Sequence, residues 1–191
     1  NIDVRTLPNA APDDEEIWSE NLVADDQKDI TVNSYDKHLL NGITLDGESS
    51  YEFAFDMKIP AGSLATTNLC VILSENANDS KGIYSDYWFS LNQIRTGPVA
   101  DGNGWPNDPY ATLINGTVVF AEDTVYSVKY IIEKDKITHY IDGNLMQVTL
   151  GTSGGYAASE STNIPTFADA KIGFIGQNSA PNMQISNVSL K

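Results

Sequence analysis

Alternation of apolar and polar residues constrains this chain more than any other feature. Tyr51, Phe53, Phe55, Met57 and Ile59 fall at every second position, with Glu52, Asp56 and Lys58 between them. A strand turns successive side chains to opposite faces, so this stretch makes one apolar face and one wet face. Pro60-Ala61-Gly62 ends it. The pattern returns over residues 84–94, and again in Tyr126, Val128, Tyr130 and Ile132. The apolar run 69–74 reads as a buried strand and 75–81 as a polar loop. Lys134-Asp135-Lys136 reads as a turn and 137–141 as the return strand. In Asp142-Gly143-Asn144 the Asp-Gly pair supplies the positive φ that a tight hairpin needs. Residues 145–150, 171–176 and 183–190 complete the strands. Helix signals are scarce, with Asp13-Asp14-Glu15-Glu16 either opening a short helix or leading into the first strand. Short strands separated by turn residues predict an all-β, two-sheet antiparallel β-sandwich of the jelly-roll kind.

A chain of 191 residues suits one such domain, residues 1–191, since sandwiches run to about 200 residues as a single unit. Hydrophobic residues make up 41% of it, enough to fill a core between two sheets. Cys70 is the single cysteine, so no internal disulfide exists. It has no basic neighbour to activate it and reads as a small core hydrophobe. No apolar stretch approaches the ~20 residues that cross a bilayer as a helix. The chain opens on Asn1 without a signal-peptide core. The expectation is a monomeric module excised from a larger secreted or cell-surface protein.

Charge narrows the partners. The formal net charge is −15, the wrong sign for neutralising nucleic-acid phosphates or settling on an anionic membrane. Residues 1–60 carry fourteen Asp and Glu against four Lys and Arg. Those acids are either a solvated surface or a source of ligands for Ca²⁺. The loop over residues 96–110 bears on the second choice. Asp101-Gly102-Asn103-Gly104-Trp105-Pro106-Asn107-Asp108 spaces carboxylate and amide oxygens around flexible glycines, as a hard cation requires. Asp101 and Asp108 are the candidate metal ligands, although the full EF-hand spacing is missing and an ordinary Asx/Gly turn would show the same residues.

Aromatics in polar surroundings mark the candidate binding residues. Trp105, set between Gly104 and Pro106, cannot easily reach a core, and exposed rigid aromatics in loops usually bind something. In 84–94 one set of alternate positions is Tyr84, Asp86, Trp88, Ser90 and Asn92; the other is Ser85, Tyr87, Phe89 and Leu91. If the first set faces outward, Trp88 offers a plane to the C–H face of a sugar, and its polar neighbours offer bonds to hydroxyls. If the faces are reversed, Trp88 is buried and Tyr87 is outward. The candidate ligand-binding residues are therefore Trp88, Trp105, Tyr84, Asp86, Asn92, Arg95, Asn103 and Tyr110.

Catalytic motifs find little support. Gly151-Thr152-Ser153-Gly154-Gly155 matches a nucleophile elbow in letters. It lacks the following helix, and no histidine comes after His139. His38 and His139 lack the neighbours of a zinc site, and His139 reads as a strand-face residue. Glu52 and Asp56 share a strand face without the spacing of a paired-acid glycosidase site.

Three segments carry a resemblance. They are Tyr126-Ser127-Val128-Lys129-Tyr130 running on to Ile141-Asp142-Gly143-Asn144, then Lys171-Ile172-Gly173-Phe174-Ile175-Gly176, then Ile185-Ser186-Asn187-Val188-Ser189-Leu190. Together they resemble the C-terminal half of concanavalin A-like lectin/glucanase sandwiches, particularly the laminin-G-like and levan-binding-module branches. The resemblance implies two curved antiparallel sheets, often a structural Ca²⁺, and a sugar site on the concave sheet or its rim loops. Binding modules and hydrolases both occur in that superfamily. The expected function is a non-catalytic carbohydrate-binding module or lectin-like adhesin domain for a polysaccharide, with assistance by Ca²⁺ as a further expectation. The alternatives are a glycoside hydrolase or lyase of the same fold, and a structural module of a bacterial surface protein.

Overall fold

A computed structural model describes residues 22–76, 82–99, 112–116, 118–133, 136–149, 170–177 and 183–191. Among them lie twelve strands and no α-helix, only 3-10 turns at Asp25–Gln27 and Phe89–Leu91. The strands are β1 (Ile30–Val32), β2 (Lys37–Leu39), β3 (Tyr51–Lys58), β4 (Asn68–Asn76), β5 (Gly82–Trp88), β6 (Gln93–Val99), β7 (Thr112–Asn115), β8 (Val125–Glu133), β9 (Lys136–Ile141), β10 (Asn144–Thr149), β11 (Ala170–Gln177) and β12 (Met183–Leu190). They form two six-stranded sheets, ordered β1-β12-β3-β8-β9-β10 and β2-β11-β4-β5-β6-β7. Every pairing between these strands is antiparallel. This is the all-β, two-sheet sandwich that the alternation predicts. Among the described residues, no helix is long and apolar enough to cross a membrane.

The core lies between the sheets. Phe53, Phe55 and Met57 of β3 and Val128, Tyr130 and Ile132 of β8 face Leu69, Val71 and Leu73 of β4, Tyr87 of β5 and Phe174 of β11. Phe55 meets Phe174 edge-on, with ring centroids 4.9 Å apart at 87°. Burying each such side chain contributes about 2 kcal/mol. The two sheets differ on their outward faces. The first alternates cleanly, buried inward and partly exposed outward, as β3 and β8 show. The second carries another apolar cluster outside, in which Cys70, Ile72, Tyr84 and Ile175 are buried with Leu39 packed against them. Cys70 is thus the small hydrophobe its context suggests, placed on the outward side.

Several boundaries differ from expectation. Residues 84–94 do not form one strand: β5 stops at Trp88, the Phe89–Leu91 turn intervenes, and Asn92 takes a left-handed φ of 48° before β6 begins. Short polar side chains tolerate that conformation, so Asn92 marks the reversal. β6 runs to Val99, so residues 96–99 belong to a strand rather than to a loop. β4 likewise continues through Glu75 and Asn76. The candidates Asn103, Trp105, Tyr110, Asp101 and Asp108 lie outside the described residues, as do Asp13–Glu16 and Gly151–Gly155.

Candidate functional site

The register of β4, β5 and β6 builds the site. Asn68, Trp88 and Gln93 share one row; Cys70, Asp86 and Arg95 share the next; Ile72, Tyr84 and Gly97 share the third. Residues directly opposite in antiparallel strands point to the same face. Cys70, Ile72 and Tyr84 belong to the outward cluster, so Asp86, Trp88, Gln93 and Arg95 are on the outward face too. The sequence left two facings open for Trp88, and the structure takes the outward one. The Arg95 guanidinium lies 5.0 Å from the centre of the Trp88 ring. Trp88, Arg95 and Gln93 are half-buried, so this corner retains accessible surface.

Deeper positions on the face are closed. Tyr84 and Asp86 are both 0% exposed, although they were candidates for direct contact. Among the described residues, the Asp86 carboxylate oxygens have no hydrogen bond of full geometry. Burial pushes the Asp86 pKa up from 3.8 to about 8, with the Trp88 indole and the Arg95 guanidinium pulling it back. Loss of hydration outweighs both neighbours because an isolated buried carboxylate is far costlier than a neutral acid. Beside it, Glu75 is 3% exposed. Lys37 reaches Glu75 Oε1 and Oε2 at 3.0 and 2.8 Å, and the Tyr84 hydroxyl donates to Oε2. Tyr84 therefore serves the face through Glu75.

Asn92 is engaged elsewhere. Its carboxamide oxygen accepts the Phe120 N–H at 2.9 Å and its carbonyl accepts the Gly116 N–H at 2.8 Å. That makes it a clamp on the turn after β5. His139, read as a strand-face residue, is 1% exposed and faces the core. Its neighbours in the core are Tyr87 and Tyr130.

Lys37, Glu75 and Gln93 belong to this face and were not singled out from the sequence. Glu75 escaped because 75–81 reads as a polar loop, whereas β4 continues through it, with a register shift between Ile72 and Ser74 that further obscures its facing. A bulge inserts one residue and resets the inward–outward count, so parity counted from Leu69 assigns Glu75 to the wrong side. Lys37 lies in a three-residue strand too short for alternation to show. Among the described residues, no group of three or more His, Cys, Asp or Glu is placed to hold a metal ion.

No family model matches the sequence, and no curated protein matches it. Solved structures do share its fold. Sheep galectin-11 superposes with a TM-score of 0.57 at 8% identity, covering 84% of this chain and 99% of its own. The carbohydrate binding module CBM66 from Bacillus subtilis gives 0.52 at 12% identity, covering 86% of this chain and 95% of its own. A β-fructofuranosidase from Aspergillus kawachii gives 0.56 at 16% identity; the match covers 85% of this chain but 26% of that enzyme. Over the matched residues all three have the concanavalin A-like lectin/glucanase β-sandwich fold, and this chain shares that fold.

Proposed function

We infer that this chain is a non-catalytic, lectin-like carbohydrate-binding module that takes a polysaccharide or glycan on the outward face of its second sheet. The observation that carries this reading is the Arg95 guanidinium set 5.0 Å from the Trp88 ring, one row from the buried Asp86. Trp88 is the stacking plane for a sugar ring. Arg95 and Gln93 supply donors to hydroxyls. Asp86 lies opposite Arg95 in the same row, where its ionised form, present as pH rises through about 8, would hold that cation in place. The likeness to a galectin and to a carbohydrate binding module supports a sugar as the ligand class. The net charge of −15 ranks neutral glycans above anionic ones.

A glycan array followed by titration calorimetry tests this. Trp88→Ala, with its circular dichroism unchanged, is expected to cost about 2 kcal/mol of binding, as loss of a central aromatic does. Undiminished affinity in that variant sinks the site. Calcium assistance and display outside the cell are the finer parts of the reading, motivated by the acid-rich sequence and by Asp101 and Asp108. A cation that binds only the folded chain raises the melting temperature with its concentration. Identical melting curves in calcium and in chelator would remove calcium from the proposal.

A further inference from the structure

The first sheet has an outward depression of its own. Its volume is about 360 Å³, and its walls include Ala54, Asp56, Ser127, Lys129, Tyr140 and Asn187. Register explains the assembly. Ala54, Lys129 and Tyr140 form one row across β3, β8 and β9; Asp56 and Ser127 form the next row. Rows two residues apart along a strand are separated by about 7 Å, roughly the width of a sugar ring. Ala54 and Gly143 keep the space open, because neither carries a side chain long enough to fill it.

The walls are arranged rather than merely polar. The Asp56 carboxylate accepts the Ser127 hydroxyl at 2.6 Å through Oδ1 and the Asn187 amide at 2.7 Å through Oδ2. Asn187 reaches it from an irregularity in the β12–β3 ladder, where its φ is 54°. Ser127 is fixed again from the other side, its N–H donating to Asp142 Oδ1 at 2.9 Å. Each Asp56 oxygen retains a further acceptor site after these bonds. Across the depression, the Lys129 ammonium lies 5.1 Å from the Tyr140 ring centre and 3.8 Å from Glu52. A half-buried aromatic ring and a held carboxylate and amide therefore line one depression, with the Lys129 ammonium over the ring.

We propose that this depression is a second carbohydrate site, taking one neutral sugar ring on the sheet opposite the Trp88 face. Tyr140 stacks on the C–H face of the ring, and Asp56, Asn187 and Lys129 bond its hydroxyls. The chemistry disfavours other ligands. Glu52 already balances Lys129, so Asp56 leaves the surroundings negative and repels anions. An apolar ligand would strip water from Asp56, Ser127 and Asn187 without replacing its bonds. The volume sits within the ~300–1,000 Å³ of small-ligand sites. With sites on opposite faces, a single copy bridges two glycan chains.

Amide NMR of the whole chain, titrated separately with methyl glucoside, methyl galactoside and fructose, tests this. Saturable shifts are expected at Ala54, Lys129, Tyr140 and Gly143 with at least one of these sugars. Ala54→Leu fills the depression, and Tyr140→Ala removes its stacking wall. Each should weaken those shifts by about tenfold or more in Kd; Trp88→Ala should leave them alone. The proposal is overturned if none of the three sugars moves these amides, or if the shifts persist unchanged in a folded Ala54→Leu. The Trp88 and Arg95 amides report the other face, so failure of either site is read independently of the other.

Discussion

The Tyr87 hydroxyl and His139 Nε2 lie 2.7 Å apart and join the two sheets through the core. Tyr87 comes from β5 of the second sheet and His139 from β9 of the first. Tyr130, beside His139 in the first sheet, completes the group. Its hydroxyl is 2.5 Å from that of Tyr87, and its ring stacks on His139 at 4.3 Å and 13°. All three side chains are buried. Tyr87 has one hydroxyl proton, so it donates to one neighbour and accepts from the other. Among the described residues, His139 Nδ1 has no partner. A second proton on this ring would therefore introduce a charge into the core without compensation.

Acid should unfold the domain through this group. Burial lowers the His139 pKa from 6.5 to about 3. Between those values the unfolded chain takes up a proton that the folded chain refuses. The contribution of the neutral ring is complete above pH 6.5 and lost as pH falls toward 3, amounting to about 5 kcal/mol over that window. Urea unfolding at about pH 7 and about pH 4 checks it in the parent and in His139→Phe. The variant should be weaker at neutral pH by about 1–2 kcal/mol, because a buried hydroxyl loses a partner, and its further loss on acidification should be smaller. Equal acid losses in both chains would show that His139 is not the titrating group.

Lys37 should prove essential to stability despite sitting in a short strand. Its ammonium pairs with Glu75, whose side chain is 4% exposed while that of Lys37 is 30% exposed. Removing the lysine leaves the buried Glu75 carboxylate with one donor fewer, at about 1–3 kcal/mol. Lys37→Met should therefore lower the denaturation midpoint markedly, and adding Glu75→Gln should restore much of it. A single variant as stable as the parent would mean that water already solvates Glu75.

The fold was legible because burial on one side of a sheet imposes period two. β3 shows this best, its five apolar positions from Tyr51 to Ile59 matching its buried side apart from a half-buried Tyr51. The outward face of Trp88 was legible only as one of two choices. β5 is buried on both faces through Tyr87, so apolar residues fall at both parities and alternation loses its meaning. Glu75 was hidden by the polar run 75–81 and by a bulge, and Lys37 by strand length. Tyr140 and Asp56 were visible as strand residues, but their juxtaposition depends on β3–β8–β9 register, which no local pattern encodes.

Gly173 should be intolerant of even a methyl group. A Cβ there would stand 2.0 Å from the His38 carbonyl oxygen and 2.9 Å from the Leu39 Cα. These are backbone atoms of β2, the edge strand paired to β11, so they cannot rotate away. Gly173→Ala should displace β2 and cost about 2 kcal/mol. Hydrogen exchange supplies the signature: amides of Lys37–Leu39 should lose protection before those of β4. A variant with normal melting temperature and unchanged exchange in β2 would refute the contact.

Asp86→Asn should stabilise the fold and weaken the ligand at once. Burial raises the Asp86 pKa from 3.8 to about 8, so the folded chain keeps a proton that the unfolded chain has released. The associated stability is complete below pH 3.8 and lost as pH rises through about 8. Asparagine has nearly the same shape and no charge to bury. At about pH 8 the variant should gain at least ~2 kcal/mol over the parent, whereas at about pH 4, where the parent acid is protonated, the gain should nearly vanish. Binding should move the other way. Arg95 would lose the charge opposite it and hold its place over Trp88 less firmly, so glycan affinity at the same alkaline pH should fall several-fold. Chemical denaturation and calorimetric titration on one preparation read both effects. A gain that is equal at both pH values would disconnect it from ionisation, and an affinity that does not fall would remove Asp86 from the positioning of Arg95.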